Sequence, residues 1–314
     1  MPTSCTIAMK RTNLMYRMCS RSITRSLVIF LLILLAIGLV MTGMLETIAS
    51  RRYLNSDHLP PRKSRIQPVS DEPPPKTVVL TTTNSAFLDL TENWLYSIQS
   101  CGVWPNITVI AEDRAAYEAL RKMKFNIHVT LADQLSTADN LLFDTPEYKR
   151  FVNKRADYIL ALLHNGYDVL FSDVDTYWVK NPFPYFEEGY DIFTQADQLP
   201  PLPQVLCAGF VFYKATGQTL KFVRTWITRM AIKKQKLPDQ VVLNQLIMKC
   251  MKNKNGVKVK VLDPNLFVSG QFYFNDDWRS KNPHVQPVML HNNWVIGHDV
   301  KVQRFKKIGM WSIK

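Results

Sequence analysis

The chain has 314 residues, enough for one large domain or two modest ones. It is 46% apolar and 21% charged, with 11 glycines and 18 prolines, a composition that excludes collagen, low-complexity disorder and a coiled coil. Its 39 basic and 26 acidic residues leave a net charge of +13, yet no arginine-rich block, zinc finger or RNA-binding aromatic signature accompanies it, so nucleic acid is not an expected partner.

Ser26 to Leu45 reads SLVIFLLILLAIGLVMTGML, without one charge. A helix of that length crosses the ~30 Å hydrocarbon core of a bilayer. A cleaved signal peptide fits less well, because the apolar stretch is too long and follows a long N-terminal segment. Lys10, Arg11, Arg17, Arg21 and Arg25 precede the span with no acid among them, while Glu46, Arg51 and Arg52 follow it. That asymmetry places residues 1–25 in the cytoplasm and the C-terminal body in a lumen. Cys5 and Cys19 then face the cytosol as candidate palmitoylation sites. Cys101, Cys207 and Cys250 face an oxidising lumen, where three thiols allow at most one intrachain bridge. Residues 46–75 read as a stem: Pro60, Pro61, Pro68, Pro73, Pro74 and Pro75 lie among Ser, Arg and Asp, a stretch that buries no core. The expected layout is tail, lipid-embedded span at 26–45, stem, and one lumenal domain at 76–314. Asn106-Ile-Thr108 is the N-glycosylation pattern of that domain.

The domain alternates strand and helix. Lys76–Thr82 is a short β-rich run, and Phe87, Leu90, Trp94, Leu95 and Ile98 follow helical spacing. Ile107–Ile110 predicts a second strand, Ala116, Leu120 and Met123 a helix, and Asn126–Thr130 a third strand. Tyr148, Phe151, Val152, Ile159, Leu162 and Leu163 predict one long helix, and Tyr167–Phe171 a buried strand. After residue 190 the pattern is mixed, with short strands, two helices and a basic tail. Such alternation means a mainly parallel sheet covered on both faces, with ligands beyond the carboxyl ends of the strands. Thr81–Asn84, Glu112 and Asp113, and Asp173 and Asp175 fall at those ends.

Asp173-Val-Asp175 follows the buried run directly. Residues two apart in a strand point to one side, so the two carboxylates converge. Clustered carboxylates beside apolar residues carry a large cost unless a cation or hydrogen bonds offset it, and a hard divalent ion that also bridges to a diphosphate fits them. The bland alternative is a solvated loop with two acids. Three later segments add chemistry. Cys207-Ala-Gly209 is a small-residue turn feeding an apolar strand. Asp239-Gln240 opens a helix after Pro238, where Asp239 is otherwise a helix-start acid. His291 follows the apolar run Val288–Leu290, and Gly297, His298 and Lys301 come soon after. His291 otherwise reads as a core histidine and Lys301 as a solvated charge.

In this order, the segments resemble a type II Golgi glycosyltransferase of the GT-A fold. The chain is similar to the nucleotide-diphospho-sugar transferase family that includes plant rhamnogalacturonan α-xylosyltransferases. The resemblance covers roughly residues 76–311 and is most specific from Asn153-Lys-Arg155 to Asn181-Pro182. It departs from glycogenin-like enzymes at the end, where Gly297 lies six residues after His291 rather than three. The resemblance implies an α/β GT-A domain, a Rossmann-like and mainly parallel sheet flanked by helices, that moves a sugar, xylose or galactose, from UDP to an acceptor hydroxyl on a glycan or glycoprotein with retention of configuration. It implies Mn²⁺ or Mg²⁺ on Asp173, Asp175 and His291, with His298 as the rival imidazole. Lys301 and Asp173 would meet the donor. Thr82, Thr83 and Asn84 would line the nucleotide pocket, with Glu112 or Asp113 near the base. Arg155, Asp239 and Gln240 would lie near the diphosphate or the donor sugar.

Two rivals use the same residues. Leu170-Phe-Ser-Asp173-Val-Asp175-Thr176 also fits the strand-D-x-D-x-T pattern of a haloacid-dehalogenase-type phosphatase, which needs a second acidic pair such as Asp276-Asp277. The other rival is a lumenal protein that binds a nucleotide sugar without turning it over.

Overall fold

A computed structural model describes residues 76–133, 139, 141, 144–198, 204–232, 237–252 and 256–313. The tail, span and stem expected at 1–75 lie outside these residues, as do Cys5 and Cys19. Among the described residues, no helix is long and apolar enough to cross a membrane.

The apolar runs become a seven-stranded sheet. β1 (Thr77–Thr83), β2 (Asn106–Ala111), β3 (His128–Leu131) and β4 (Asp168–Ser172) are parallel, in the order β3-β2-β1-β4. After β5 (Thr176–Trp178) come β6 (Ile192–Gln198) and β7 (Val205–Tyr213). β7 extends the sheet antiparallel to β4, and β6 lies antiparallel to β7. β8 (Val259–Val261) closes the edge parallel to β6. β9 (Phe267–Ser269) and β10 (Met289–His291) form a second, three-stranded sheet with β5, in the order β5-β10-β9. The sheet is thus mainly parallel, as the alternation predicted.

Successive strand residues point to opposite faces, and the core divides accordingly. Leu80, Val169, Phe171, Val211 and Tyr213 enter one apolar cluster, while Val79, Leu170, Phe210 and Phe212 enter another. The first is covered by α4 (Arg155–His164), α5 (Gly217–Ile232) and α6 (Asp239–Met251), through Ala156, Ile159, Trp226 and Leu243. The second is covered by α1 (Leu88–Ser100) and α2 (Arg114–Leu120), through Trp94, Leu95, Ile98, Ala116 and Leu120. The burial of Trp94, Trp178 and Trp226 puts three of the largest side chains inside, each contributing several times the ~0.8 kcal/mol of a single methylene. A third, smaller cluster joins Val174, Val268 and Leu290 to Val302 and Phe305 of α9 (His298–Lys307).

Three expectations are corrected. The long helix over 148–163 is two helices, α3 (Pro146–Asn153) and α4, meeting at Lys154. Thr145 caps α3 by accepting from the Tyr148 amide, with Pro146 in its first turn. Apolar spacing continued across the junction because both helices turn apolar faces inward. The basic tail is the ordered helix α9. The region after residue 190 also holds the short helices α7 (Gly270–Tyr273) and α8 (Asp276–Lys281), each too brief for periodicity to register.

Candidate active site

The strand order reverses at β1, whose neighbours are β2 on one side and β4 on the other. A parallel sheet opens a crevice at such a switch point, outside the carboxyl ends of its strands. Thr82, Thr83 and Asn84 end β1 there, and Asp173 follows β4. A cavity of about 160 Å³ lies between them, lined by Thr82, Thr83, Asn84, Arg155, Asp173, Asp175 and Lys301, with Phe87, Tyr148 and Phe151 as aromatic wall.

The Asp173–Asp175 turn is held on both sides. The Asp173 amide donates to Gly209 O at 2.7 Å, and Thr176 donates its amide and its hydroxyl to Asp173 O at 3.0 and 2.8 Å. The Asn292 amide donates to Asp175 O at 2.9 Å, so β10 delivers His291 next to the acid pair. His291 Nε2 lies 3.2 Å from Asp175 Oδ1 and 3.8 Å from Asp173 Oδ2. One ligand atom of each residue falls within 4.8 Å of the other two. Gly209 makes this approach possible, since a Cβ there would stand 2.1 Å from Asp173 Oδ2 and 2.6 Å from His291 Cε1. The donor set of two carboxylates and an imidazole suits Mn²⁺ or Mg²⁺.

The surrounding charges agree with a cation site. Lys301 of α9 donates to Asp175 Oδ2, and also to Asn292 O at 3.0 Å. Burial alone would raise the Asp175 carboxyl, but Lys301 and His291 reverse that and hold it far below the usual carboxylate range. Burial also works against charge on His291, and Cys207 and the Asp175 carboxylate together outweigh it, raising the imidazole well above its usual value. Cys207, buried beside it, is pushed up to about 11 by burial and remains a thiol at neutral pH.

Arg155 links this pair to Asp239. Its Nη1 lies 3.4 Å from Asp173 Oδ1 and donates to Ala208 O at 3.1 Å. Its Nε lies 2.8 Å from Asp239 Oδ2, without the alignment of a hydrogen bond, and its guanidinium stacks over Phe171 at 4.7 Å. Burial works against charge on Arg155 too, and Asp239 and Asp173 raise it. Burial pushes the Asp239 carboxyl up to about 6 even with that cation beside it. Gln240 is used at both ends: Oε1 accepts from the Ala208 amide at 2.9 Å and Nε2 donates to Asp197 Oδ2 at 3.0 Å.

Thr82, Thr83, Asn84, Arg155, Asp173, Asp175, His291 and Lys301 therefore meet at one place, with Asp239 and Gln240 just behind. His298 and Asp113 do not join them. His298 begins α9 on the far side of Gly297, between Asp89 at 2.7 Å and Asp299 at 2.8 Å. Asp113 caps α2 through the Ala116 amide at 2.9 Å and takes the amide and hydroxyl of Ser85 at 2.7 and 2.6 Å, so its oxygens serve the loop rather than the cavity. Glu112 is fully buried against Lys154 at 2.9 Å and Tyr158 at 3.1 Å. Asp276 pairs with Arg279 on the surface, so the second acidic pair that a phosphatase needs is not at Asp173.

Sequence reasoning missed Gln195, Asp197 and Asn293, a polar group behind the site in which Gln195 and Asp197 are buried and Asn293 half-buried. Asn293 donates to Asp197 Oδ1 and accepts from the Gly270 amide at 2.8 Å. Gln195 and Asp197 share β6 two residues apart, and Asn293 lies 96 residues beyond Asp197, so no local pattern joins all three. The cysteines Cys101, Cys207 and Cys250 are unbridged.

The family model for nucleotide-diphospho-sugar transferases matches residues 102–305. The chain is similar to the UDP-D-xylose:L-fucose alpha-1,3-D-xylosyltransferase 3 of Arabidopsis thaliana, 27% identical over 259 residues, covering 76% of this chain and 67% of that protein. It is also similar to the UDP-galactose:fucoside alpha-3-galactosyltransferase of Dictyostelium discoideum, 27% identical over 192 residues, covering 53% of this chain and 28% of that protein. Among solved structures, the glycosyltransferase GlyE of Streptococcus pneumoniae TIGR4 aligns at 12% identity with a TM-score of 0.45, over 76% of this chain and 66% of that one.

Proposed function

The chain belongs to the nucleotide-diphospho-sugar transferase family and is a glycosyltransferase using a nucleotide sugar, and from that premise we propose that it moves xylose or galactose from UDP to a hydroxyl of a fucosyl residue on a glycan or glycoprotein. The donor class follows from the family. The acceptor follows from a feature of the relatives: their xylosyl and galactosyl members differ in donor, yet both names specify fucose or a fucoside. A GT-A domain in the Golgi lumen, behind a type II anchor at residues 26–45, completes the reading.

The observation that carries it is the convergence of Asp173, Asp175 and His291 at the switch point, with Lys301 and Arg155 beside the cavity. Asp173, Asp175 and His291 would hold Mn²⁺ or Mg²⁺, which when bound stabilises the charge that develops on the departing diphosphate. Lys301 brings a point charge to the same diphosphate on an ordered helix. Arg155 fixes Asp173 and Asp239 at their working distances. Transfer breaks the bond from the anomeric carbon to the phosphate oxygen and makes one to the acceptor oxygen. The acceptor proton passes to the leaving diphosphate, giving UDP and retention from front-face attack without a protein base. The alternative, a covalent intermediate on Asp239, demands an accessible carboxylate, and this one is 3% exposed and held against Arg155.

The test is UDP release by the full chain in detergent, with UDP-xylose and UDP-galactose as donors and an aryl α-L-fucoside as acceptor. Fucoside-dependent release, an α-linked product by NMR, loss on chelation and recovery with Mn²⁺ are expected. Asp175→Asn keeps the side-chain shape and removes one charge, so it should lower turnover roughly 100-fold or more, as losing one stabiliser of transition-state charge does. No UDP release from any donor, or full activity of Asp175→Asn in excess chelator, would sink the reading.

A further inference from the structure

We propose that Gln195 orients His291 as a metal ligand by dictating which ring nitrogen carries the proton, an inference that rests on the metal site described above. The orientation starts at a backbone carbonyl. Gln195 lies on β6, fully buried, and its Nε2 donates to Phe267 O at 3.3 Å. That carbonyl is fixed, because Phe267 pairs with Met289 in the small sheet. A carbonyl only accepts, so the amide turns its NH₂ toward Phe267 and its Oε1 away. Oε1 lies 3.0 Å from His291 Nδ1. An amide oxygen offers only lone pairs, and it therefore requires an N–H at Nδ1. An imidazole that gives a lone pair to a metal ion is neutral and has one such proton. The lone pair then belongs to Nε2, the nitrogen facing Asp175 and Asp173.

A second group competes for the same nitrogen. Cys207 Sγ lies 3.4 Å from His291 Nδ1. A thiol proton donated to Nδ1 would force the imidazole proton onto Nε2, turning an N–H toward the carboxylates and abolishing the ligand. Gln195 and Cys207 thus favour opposite tautomers. The amide makes the shorter contact, and sulfur is the weaker partner. The Cys207 sulfur already accepts from the Gly209 amide at 3.3 Å. Gln195 is accordingly a positioning residue: it acts on the ion through His291 alone, as outer partners of metal-binding imidazoles do.

The experiment measures Mn²⁺ affinity of the full-length protein in detergent, from the free-ion EPR signal. Gln195→Leu keeps the volume and removes the acceptor, and should weaken Mn²⁺ about 10- to 100-fold, the usual effect of losing such a partner. Gln195→Glu keeps an acceptor at Nδ1 and should stay within about threefold of the native protein. Cys207→Ala should leave the affinity in place. Full affinity in Gln195→Leu, or a loss confined to Cys207→Ala, overturns the proposal. A second measurement needs no variant of Gln195: long-range ¹H–¹⁵N correlation on the Mg²⁺-loaded protein with ¹⁵N-histidine, His291 being assigned by difference from His291→Ala. A proton on Nδ1 supports the proposal, and one on Nε2 overturns it. His291→Ala separates the two levels of argument. Undiminished Mn²⁺ affinity there overturns the metal site and this inference with it. A loss there alongside full affinity in Gln195→Leu overturns the role of Gln195 alone.

Discussion

Two imidazoles lie within seven residues of each other, and their surroundings divide their roles. His291 is 2% exposed and faces two carboxylates through one nitrogen, whereas His298 bridges Asp89 and Asp299 at the protein surface. His291→Ala should therefore weaken Mn²⁺-dependent UDP binding, and His298→Ala should change it little. Lys301→Ala should weaken UDP more than uridine, because only UDP carries phosphates. Calorimetric titration of both ligands, with and without Mn²⁺, reads all three variants, and a crippled His298→Ala beside a normal His291→Ala would transfer the ligand role. Asp239 gives a pH prediction. Its folded-state carboxyl, at about 6, lies above the usual value of 3.8. The folded state therefore holds a proton that the unfolded chain has released, and stability from this group is present below about pH 4 and is lost as pH rises through about 6. Denaturant unfolding of the native protein and Asp239→Asn should show the difference between them falling by about 3 kcal/mol over that window, at 1.36 kcal/mol per pKa unit. A constant difference would mean that Arg155 holds Asp239 ionised throughout.

At the scale of elements, the site depends on how closely β7 approaches the turn after β4. Gly209 sits where these two meet, its carbonyl taking the Asp173 amide and its missing side chain leaving room for Asp173 and His291. Gly209→Ala places a methyl inside that space. Both neighbours are functional side chains, so they are expected to yield before the strand does. Mn²⁺ affinity should fall at least about tenfold, while the overpacked core loses about 1–3 kcal/mol in urea. Native Mn²⁺ binding by Gly209→Ala would show that the acid pair tolerates displacement. Elements such as β1, β2 and β4 were legible because each is an unbroken apolar run closed by polar residues. The acid pair was legible because it directly follows such a run. The break at Lys154 was not, since the same inward-facing spacing serves two helices as well as one. The cap at Asp113 could have been read: an Asp three residues before the buried Ala116 is the pattern of an N-cap, which binds a carboxylate to its own helix. The grouping of Gln195 and Asp197 with Asn293 could not, because β6 and the loop after β10 come together only in three dimensions.

For the whole molecule, the seven-stranded sheet, the apolar clusters on its two faces and every residue of the site fall within 76–313. The apolar run at 26–45 and the proline-rich stretch that follows lie outside the described residues. The basic residues on which the proposed orientation rests, Lys10, Arg11, Arg17, Arg21 and Arg25, precede that run. Two consequences can be separated. If the span is only an anchor, a chain beginning at Lys76 should leave the membrane fraction, fold, and release UDP from its donor at a rate within about twofold of the full chain, since truncations that spare buried backbone are tolerated. If the basic flank sets the topology, protease added to sealed Golgi vesicles should remove only the short tail and spare an epitope placed after Ser312. Detergent should then expose that epitope to cleavage. Digestion of the C-terminal epitope in intact vesicles would reverse the orientation and put Cys101, Cys207 and Cys250 in the reducing cytosol. Protection of the epitope with loss of activity in the truncated chain would instead show that residues before Lys76 take part in folding the domain.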